Sequence, residues 1–270
     1  MASKASYRML VVNPNTSVAM TDALRPVVQR VLGASGDVTC EFFTAPSPPT
    51  GTEIHPGALP SINSPEDSVA SAQYVYPFVE PLVEQYDAFL VACYSEHPLV
   101  GMLGRAIETR SHSGQLRRKC YVTGIFEASV LASLGLLAQL PSENSFGIIS
   151  TGSVWETALA DAVRVFLGVV TSKKFTGCRT TGMTALELHD APAEDVRERM
   201  ADATSRLIRD APQTRVFCLG CAAMVDGADA IRLGAARALS DSKDKGKDVR
   251  VVDGVAAGVA WLLVACRAQF

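Results

Sequence analysis

The chain has 270 residues and a mass of 28.7 kDa, which is enough to bury a large core and to form two domains. With 48% hydrophobic and 20% charged residues, it does not have the composition of a disordered protein. The net charge of −3 and the pI of about 5.8 exclude the basic surface of a nucleic-acid-binding protein, so a small molecule is the expected partner.

The sequence begins without the basic, apolar and small-residue regions of a secretory signal, and its longest apolar stretch, 255–266, is too short to span a bilayer. Cysteines occur at seven scattered positions: Cys40, Cys93, Cys120, Cys178, Cys218, Cys221 and Cys266. This odd number without a signal is typical of reduced thiols. We therefore expect a cytoplasmic protein that binds neither a membrane nor a nucleic acid.

Short apolar runs alternate with segments of helical spacing along most of the chain. Seven runs are predicted strands: Met9–Val12, Thr39–Phe43, Ala88–Ala92, Cys120–Thr123, Ser145–Ile149, Arg215–Leu219 and Val249–Val252. Helical spacing occurs at Met20, Leu24, Val27 and Val31, at Leu99, Leu103 and Ile107, and at Ile231, Ala235 and Leu239. This alternation predicts an α/β fold with parallel sheets covered by helices.

Several segments interrupt this pattern. Pro26 falls inside the first predicted helix, where it should kink or break the helix. Residues 45–68 carry six prolines and little periodicity, so we interpret them as a flap near a pocket. Residues 242–248, SKDKGKD, are predicted to be a solvated loop, and the polar stretch 110–119 marks the break between two α/β units.

A cluster of short polar residues, Asn13-Pro14-Asn15-Thr16-Ser17, follows the first predicted strand. Ligands of open α/β sheets bind beyond the carboxyl ends of strands. Thr16 or Ser17 can cap the helix that follows, and the backbone N–H groups of Asn15, Thr16 and Ser17 can converge on a ligand oxygen. Two interpretations stay open at this point: a helix cap alone, or a ligand-binding loop.

A cysteine follows an apolar strand at two places, Cys93 and Cys221, which are separated by about half the chain. A helical segment comes after each, and a helix N-terminus lowers the pKa of a thiol from about 8.5. Two thiols on opposite faces of a carbon acid can racemise it, since a thiolate removes the proton and a thiol delivers one to the other face. This chemistry needs donors for the enolate oxygen but no metal or organic cofactor.

Other roles for these cysteines are open on spacing alone. Either thiol can be an ordinary packing residue. Cys218 and Cys221 have the C-x-x-C spacing of redox proteins, although Cys218 lies inside the predicted strand. No metal-ligand motif joins the cysteines to the four histidines, which are His55, His97, His112 and His189.

Five stretches together resemble the Asp/Glu/hydantoin racemase family, and within it the hydantoin and allantoin racemase branch with its fungal-type relatives. They are VVNPNTSVAM, VACYSEHPLV, VTGIFEASV, FGIISTGS and LGCAAM. The similarity runs from Asn13 to VRVVDGVAAGVA at 249–260. No single stretch is decisive, but the polar cluster after the first strand is fairly specific in combination with Leu-Gly-Cys-Ala.

The resemblance implies two similar α/β/α (flavodoxin-like) halves with parallel sheets and an active site in the cleft between them. Residues 1–115 with 227–270 would form the first half and residues 116–226 the second. Cys93 and Cys221 would be the acid/base pair of a cofactor-independent racemase that assembles into a homo-oligomer. The implied pocket residues are Asn13, Asn15, Thr16, Ser17, Tyr94, Ser95, Thr123, Gly124, Ser150, Thr151, Gly152 and Ala222.

One departure concerns the residues after Cys93. Many bacterial relatives carry an Asp-Pro-Gly-like sequence there, whereas this chain has Ser95-Glu96-His97-Pro98, a difference that bears on the identity of the substrate. His97 either contacts a ligand, helps to hold the Cys93 loop, or only starts a helix. Glu127 either orients a pocket group or sits in the first turn of a helix.

These observations lead us to expect a racemase of a cyclic ureide, either allantoin or a 5-substituted hydantoin, in the salvage of nitrogen from purines. A decarboxylase or a cis–trans isomerase of the same fold, acting on a small carboxylic acid, is the alternative within the family. The presence of both Cys93 and Cys221 argues against a decarboxylase, which needs one cysteine. A non-catalytic metabolite sensor and a thiol redox protein are the rivals from other classes.

Overall fold

The computed structural model describes residues 6–33, 36–48, 55–224, 227–239 and 249–270. It divides into two compact units, Met1–Ile125 with Val255–Phe270 and Phe126–Gly254. None of the helices in these ranges combines the length and the apolar character that a membrane span needs.

Strands and helices alternate throughout both units. The first contains β1 (Tyr7–Asn13), α1 (Val18–Leu32), β2 (Val38–Thr44), α2 (Pro65–Val79), a 3₁₀ helix (Glu80–Glu84), β3 (Ala88–Val91), α3 (Pro98–His112) and β4 (Tyr121–Gly124). Next come α4 (Ile125–Leu137), β5 (Ser145–Ser150), α5 (Val154–Leu167), β6 (Phe175–Thr180), α6 (Ala185–Asp190), α7 (Ala193–Asp210), β7 (Thr214–Gly220), α8 (Ala228–Ala238) and β8 (Arg250–Asp253). The chain then returns to the first unit with α9 (Gly254–Ala268).

Each unit is built on one parallel four-stranded sheet, and the two sheets have the same strand order. The first runs β2-β1-β3-β4 and the second β6-β5-β7-β8. The central strands are buried on both faces, with every residue of β3 and of β5 buried. This burial explains why they appear in the sequence as continuous apolar runs. The predicted fold class, two similar α/β halves with parallel sheets, is confirmed.

All seven predicted strands are present. The helix α1 continues through Pro26, so of the kink or break predicted there, the break does not occur. Pro26 is exposed, so water can bond the carbonyl group that loses its N–H partner. The strand β6 was not predicted. Its sequence, FTGCRT, is interrupted by polar residues and glycine, and it lies at the edge of its sheet.

The limits of the units differ from those expected at 115/116 and 226/227. The strand β4, which follows the polar stretch, pairs with β3, so the first unit extends to Ile125. The strand β8 pairs with β7, and α8 packs against α7, so the second unit extends to Gly254. The polar stretch 110–119 therefore precedes an edge strand of the first unit.

The proline-rich segment packs against the rest of the first unit where the structure describes it. The carbonyl of Leu59 accepts a hydrogen bond from the N–H of Thr16 at 2.8 Å. At Gly57 the backbone comes so close to α2 that a Cβ atom would lie 2.1 Å from the Ala70 carbonyl oxygen. The helix α2 starts at Pro65, capped by Ser64, so the irregular segment ends earlier than expected. Residues 49–54 and the expected solvated loop at 242–248 lie outside the described residues.

Candidate active site

In each sheet, the two central strands connect onward to opposite sides of the sheet. These strands are β1 and β3 in the first sheet and β5 and β7 in the second. Ligands of open α/β sheets bind at the carboxyl ends of such strands. We call residues 13–17, 92–97 and 123–124 the Cys93 edge, and residues 150–152, 180–182 and 220–223 the Cys221 edge.

Every predicted site residue lies at one of these two edges. The Cys93 edge carries Asn13, Asn15, Thr16, Ser17, Cys93, Tyr94, Ser95, Thr123 and Gly124, and the Cys221 edge carries Ser150, Thr151, Gly152, Cys221 and Ala222. The two cysteines occupy equivalent places, because each follows the third strand of its own four-stranded sheet.

Side chains of the polar cluster after β1 hold the loop itself. Nδ2 of the buried Asn13 lies 3.0 Å from Asn15 Oδ1, from the Ser17 carbonyl and from Thr21 Oγ1. Asn13 Oδ1 accepts the N–H of Asn15 at 3.2 Å, and Asn15 Oδ1 accepts the N–H of Ser17 at 2.9 Å. With the N–H of Thr16 bonded to Leu59, all three amides already have partners inside the protein. The prediction that they converge on a ligand oxygen is therefore wrong.

The same loop caps α1. Oγ of Ser17 accepts the N–H of Met20 at 3.2 Å, as predicted for a residue at the helix start. The carbonyl of Pro14 accepts a hydrogen bond of 2.7 Å from Ser71 in α2. Thr16 and Ser17 are half-buried, whereas Asn13, Pro14 and Asn15 are buried.

Cys93 lies in a tight turn after β3. The thiol is half-buried, and its Sγ is 3.5 Å from Oγ of Ser95. Ser95 Oγ in turn lies 3.2 Å from Oγ of Ser68, in the first turn of α2. The Tyr94 side chain between them in sequence is buried. The turn thus places two hydroxyl groups in series behind the thiol.

His97 is the N-cap residue of α3, which confirms the helix-start interpretation. Its Nδ1 accepts the N–H of Leu99 at 3.4 Å, so the proton of the neutral ring is on Nε2. Burial lowers the pKa of His97 from its ordinary value to about 3. Nε2 is itself buried, and among the described residues no group accepts its hydrogen bond. Glu127 lies in the first turn of α4, as expected from the helix dipole.

Hydrogen bonds at the Cys221 edge tie the strand ends together. Oγ of the buried Ser150 donates to the Gly220 carbonyl at 2.7 Å. The N–H of Thr181 donates to the Ser150 carbonyl at 3.0 Å, and that of Gly182 to the Thr151 carbonyl at 3.0 Å. Ser150 is thus committed to positioning the residue before Cys221.

Cys221 does not have the low pKa predicted for it. The helix α8 begins at Ala228, seven residues further along, so Cys221 lies outside its first turn. Burial raises the pKa of the thiol to about 11. The N–H of Ala223, 3.4 Å from Sγ, lowers this pKa, but by less than burial raises it. Cys221 is therefore protonated at neutral pH. Cys93 likewise precedes the His97 cap, so neither thiol belongs to a helix N-terminus.

Cys218 is packed inside the second unit. It is fully buried in β7, its Sγ is 3.1 Å from Oγ of Ser133 in α4, and it also contacts the Ser129 carbonyl. All seven cysteines are described, and none of them forms a disulfide. Among the described residues, no three His, Cys, Asp or Glu side chains are grouped as a metal-ion site would require.

Gly220 has no room for a side chain. A Cβ atom there would lie 2.7 Å from the Ile149 carbonyl oxygen and 2.8 Å from Cβ of Ser150. We expect Gly220→Ala to lower the free energy of unfolding by about 1–3 kcal/mol, measured by urea denaturation, because these backbone atoms have to move.

The matched control is Gly135→Ala in α4, where a Cβ atom would have no atom of the described residues within 4 Å. That variant should be as stable as the wild type or more stable by up to about 1 kcal/mol, since alanine favours a helix. Equal stability of Gly220→Ala and the wild type would contradict the close approach at the start of the Cys221 loop.

Some residues of these edges were not found from the sequence. Ser68 and Ser71 reach the Cys93 edge from α2, which starts in the middle of a segment without helical periodicity. Thr181 and Gly182 follow β6, a strand that the pattern does not reveal. The N-cap signal Ser64-Pro65 was available in the sequence and marks the start of α2.

Comparisons with known proteins agree with this architecture. The family model for the Asp/Glu/hydantoin racemases matches residues 9–262. An uncharacterised protein of Schizosaccharomyces pombe is 31% identical over 255 residues, covering 94% of this chain and 90% of the relative. Hydantoin racemase of Pseudomonas sp. (strain NS671) is 26% identical over 255 residues, covering 94% of this chain and 84% of the relative.

Among solved structures, the crystal structure of allantoin racemase from Pseudomonas fluorescens shares the fold, with a TM-score of 0.70 and 24% identity. The match covers 97% of this chain and 92% of that chain. The family model, by covering both sheets and both cysteines, confirms the predicted family and enzyme class: the chain belongs to the Asp/Glu/hydantoin racemase family and is an isomerase of the racemase type.

Proposed function

We propose that this protein is a cofactor-independent racemase of a five-membered cyclic ureide, either allantoin or a 5-substituted hydantoin. The observation that carries the proposal is the equivalent position of Cys93 and Cys221, each at the carboxyl end of the third strand of its own sheet. Similarity to proteins described as hydantoin racemase and allantoin racemase supports the choice of substrate class.

The acidic carbon of such a ring lies between a carbonyl group and a ring nitrogen. In the proposed reaction one cysteine, as thiolate, removes the proton from this carbon, and the electron pair moves onto the carbonyl oxygen. The other cysteine, as thiol, delivers a proton to the opposite face of the carbon, and the oxygen returns to a carbonyl. Cys221, which burial keeps protonated at neutral pH, suits the donor role in the resting enzyme.

Hydroxyl groups are the proposed donors for the ring oxygens at the Cys93 edge, since the backbone amides of residues 15–17 are already bonded. Ser17 Oγ accepts the N–H of Met20, and its own proton remains for an acceptor outside the loop. The half-buried Thr16 offers a second hydroxyl group. Asn13 and Asn15 then act by holding this loop in shape.

The remaining predicted pocket residues have two kinds of role in this proposal. Ser150 positions the Cys221 loop through Gly220, and Ser95 contacts the Cys93 thiol. We propose that the others line the substrate: Tyr94, Thr123, Gly124, Thr151, Gly152 and Ala222.

The experiment that tests this function is proton NMR of allantoin and of a panel of 5-substituted hydantoins in D₂O, with circular dichroism of each enantiomer in parallel. Racemisation predicts loss of the ring C–H signal together with loss of optical activity. No exchange with any cyclic ureide would overturn the proposed substrate class. A covalent cysteine adduct with a small unsaturated acid, seen by mass spectrometry, would favour the cis–trans isomerase instead.

The biological setting is also a proposal. Nitrogen salvage from purines in the cytoplasm suits an allantoin racemase, and seven free thiols suit a reducing compartment. A homo-oligomer is supported by exposed apolar residues at the end of α5, where Val165 is 65% and Val170 is 87% exposed. Light scattering after size-exclusion chromatography tests the oligomer, and a monomer mass would contradict it.

A further inference from the structure

We infer that Ser68 and Ser95 form a hydroxyl relay, a chain of two hydroxyl donors that stabilises Cys93 as the thiolate. This inference rests on the proposed function, because two-base racemisation requires each cysteine to act as a thiolate in one direction of the reaction. Neither serine is assigned as a substrate contact in this inference. They are positioning residues that act through Cys93.

The relay is a chain of three side chains from two elements. Sγ of Cys93 lies 3.5 Å from Oγ of Ser95, which lies 3.2 Å from Oγ of Ser68. Ser68 is 2% and Ser95 is 3% exposed, so bulk water does not replace these contacts. The far end of the chain is the carbonyl of Ser64, 3.2 Å from Ser68 Oγ.

The protons of the relay can all be directed toward the thiol sulfur. Each hydroxyl group has one proton, and Ser68 Oγ can donate its own either to Ser95 Oγ or to the Ser64 carbonyl. When Ser68 donates to Ser95, the proton of Ser95 is left for Sγ of Cys93. This arrangement suits the thiolate, which accepts hydrogen bonds and has no proton to donate.

Among the described residues, no such chain of hydroxyl groups leads to the thiol at the Cys221 edge. There the hydrogen bond to Sγ comes from the backbone N–H of Ala223, and an amide N–H donates but does not accept. That contact favours the thiolate of Cys221, whereas burial has the larger effect and favours the thiol. The two thiols are therefore unlike, and the relay assigns the resting base to Cys93.

The test is the pH dependence of alkylation of Cys93 by iodoacetamide, followed by mass spectrometry of the Cys93 peptide in the full-length protein. Ser95→Ala removes the donor to the thiolate, and at neutral pH we expect alkylation about tenfold slower, the effect of about one pKa unit. Ser68→Ala removes the second hydroxyl group, and we expect a smaller loss of about threefold.

The matched control is Ser205→Ala, which removes another buried helical hydroxyl group, one that donates to the Gly234 carbonyl at 2.8 Å. It should leave the alkylation profile unchanged. Ser95→Thr retains the hydroxyl group and should restore most of the rate. A merely structural role for Ser95 would instead change the melting temperature and leave the pH profile in place.

An alkylation profile of Ser95→Ala that matches the wild type would overturn the relay. If Ser95→Ala does not fold, the same comparison of Ser68→Ala with the wild type decides the question. Alkylation requires no turnover, so this result is independent of the substrate. Absence of proton exchange with every cyclic ureide would refute the proposed function and leave the alkylation result standing.

Discussion

Cys93→Ser and Cys221→Ser are each expected to lower the rate of racemisation by about 10²–10⁴-fold, the range typical for loss of a general acid or base. A serine hydroxyl is a far weaker acid than a thiol, so it neither removes the carbon proton nor returns it at a useful rate. The change in optical activity of each enantiomer with time measures this loss.

Proton exchange without inversion should survive in these variants. The remaining cysteine can remove the proton on its own face and return a deuteron there, so each variant exchanges one enantiomer in D₂O. Cys93→Ser and Cys221→Ser should therefore exchange opposite enantiomers, which separate proton NMR experiments on each pure enantiomer would show. Exchange of the same enantiomer by both variants would contradict the assignment of one face to each thiol.

The matched control for both variants is Cys40→Ser. Cys40 is a free thiol on β2, away from both edges, and its Sγ lies 3.8 Å from the Glu41 carbonyl oxygen. It should retain the wild-type rate. A loss comparable to that of Cys93→Ser would show that the cysteines act through stability and not through proton transfer.

His97→Asn is expected to make the protein much less sensitive to acid. The unfolded chain binds a proton at His97 near pH 6.5, whereas burial lowers the pKa in the folded protein to about 3. Between these values the unfolded state holds one more proton, so the free energy of unfolding falls as the pH falls. The loss approaches about 1.4 kcal/mol per pH unit below pH 6.5 and amounts to about 2–3 kcal/mol between pH 7 and pH 4.5.

Asparagine removes this proton-binding group and keeps the helix cap, because its Oδ1 can accept the N–H of Leu99 in place of Nδ1. Urea denaturation at pH 7 and pH 4.5 measures the difference between the variant and the wild type. His112→Asn, at an exposed position of α3, is the control and should follow the wild type. An acid dependence of His97→Asn equal to that of the wild type would refute the buried neutral imidazole.

The parts of the fold that follow from local pattern were predictable. Strands buried on both faces must be apolar throughout, so β1, β3, β5 and β7 are visible in the sequence. The edge strand β6 pairs on one side only and tolerates Thr, Gly and Arg, so it is not visible.

The candidate site also has parts that the local sequence pattern predicts and parts that it does not. Both cysteines and the polar cluster follow strands, so their position at a sheet edge was predictable. The contacts of Ser68 with Ser95 depend on packing between segments 27 residues apart, which no local pattern contains. The prediction that backbone amides of the polar cluster bind a ligand oxygen failed for a different reason. Asparagine side chains accept hydrogen bonds from amides of their own loop, so these amides are not available to a ligand.

The return of α9 to the first unit affects how the protein is made. Arg267 in this helix forms two hydrogen bonds with Asp37, at 2.9 and 2.8 Å, and Val259 and Leu262 are fully buried. The second unit is one continuous segment and is available to fold as soon as it leaves the ribosome. The first unit lacks a helix until residues 255–270 have been synthesised, so the unit that begins the chain is the last to be completed.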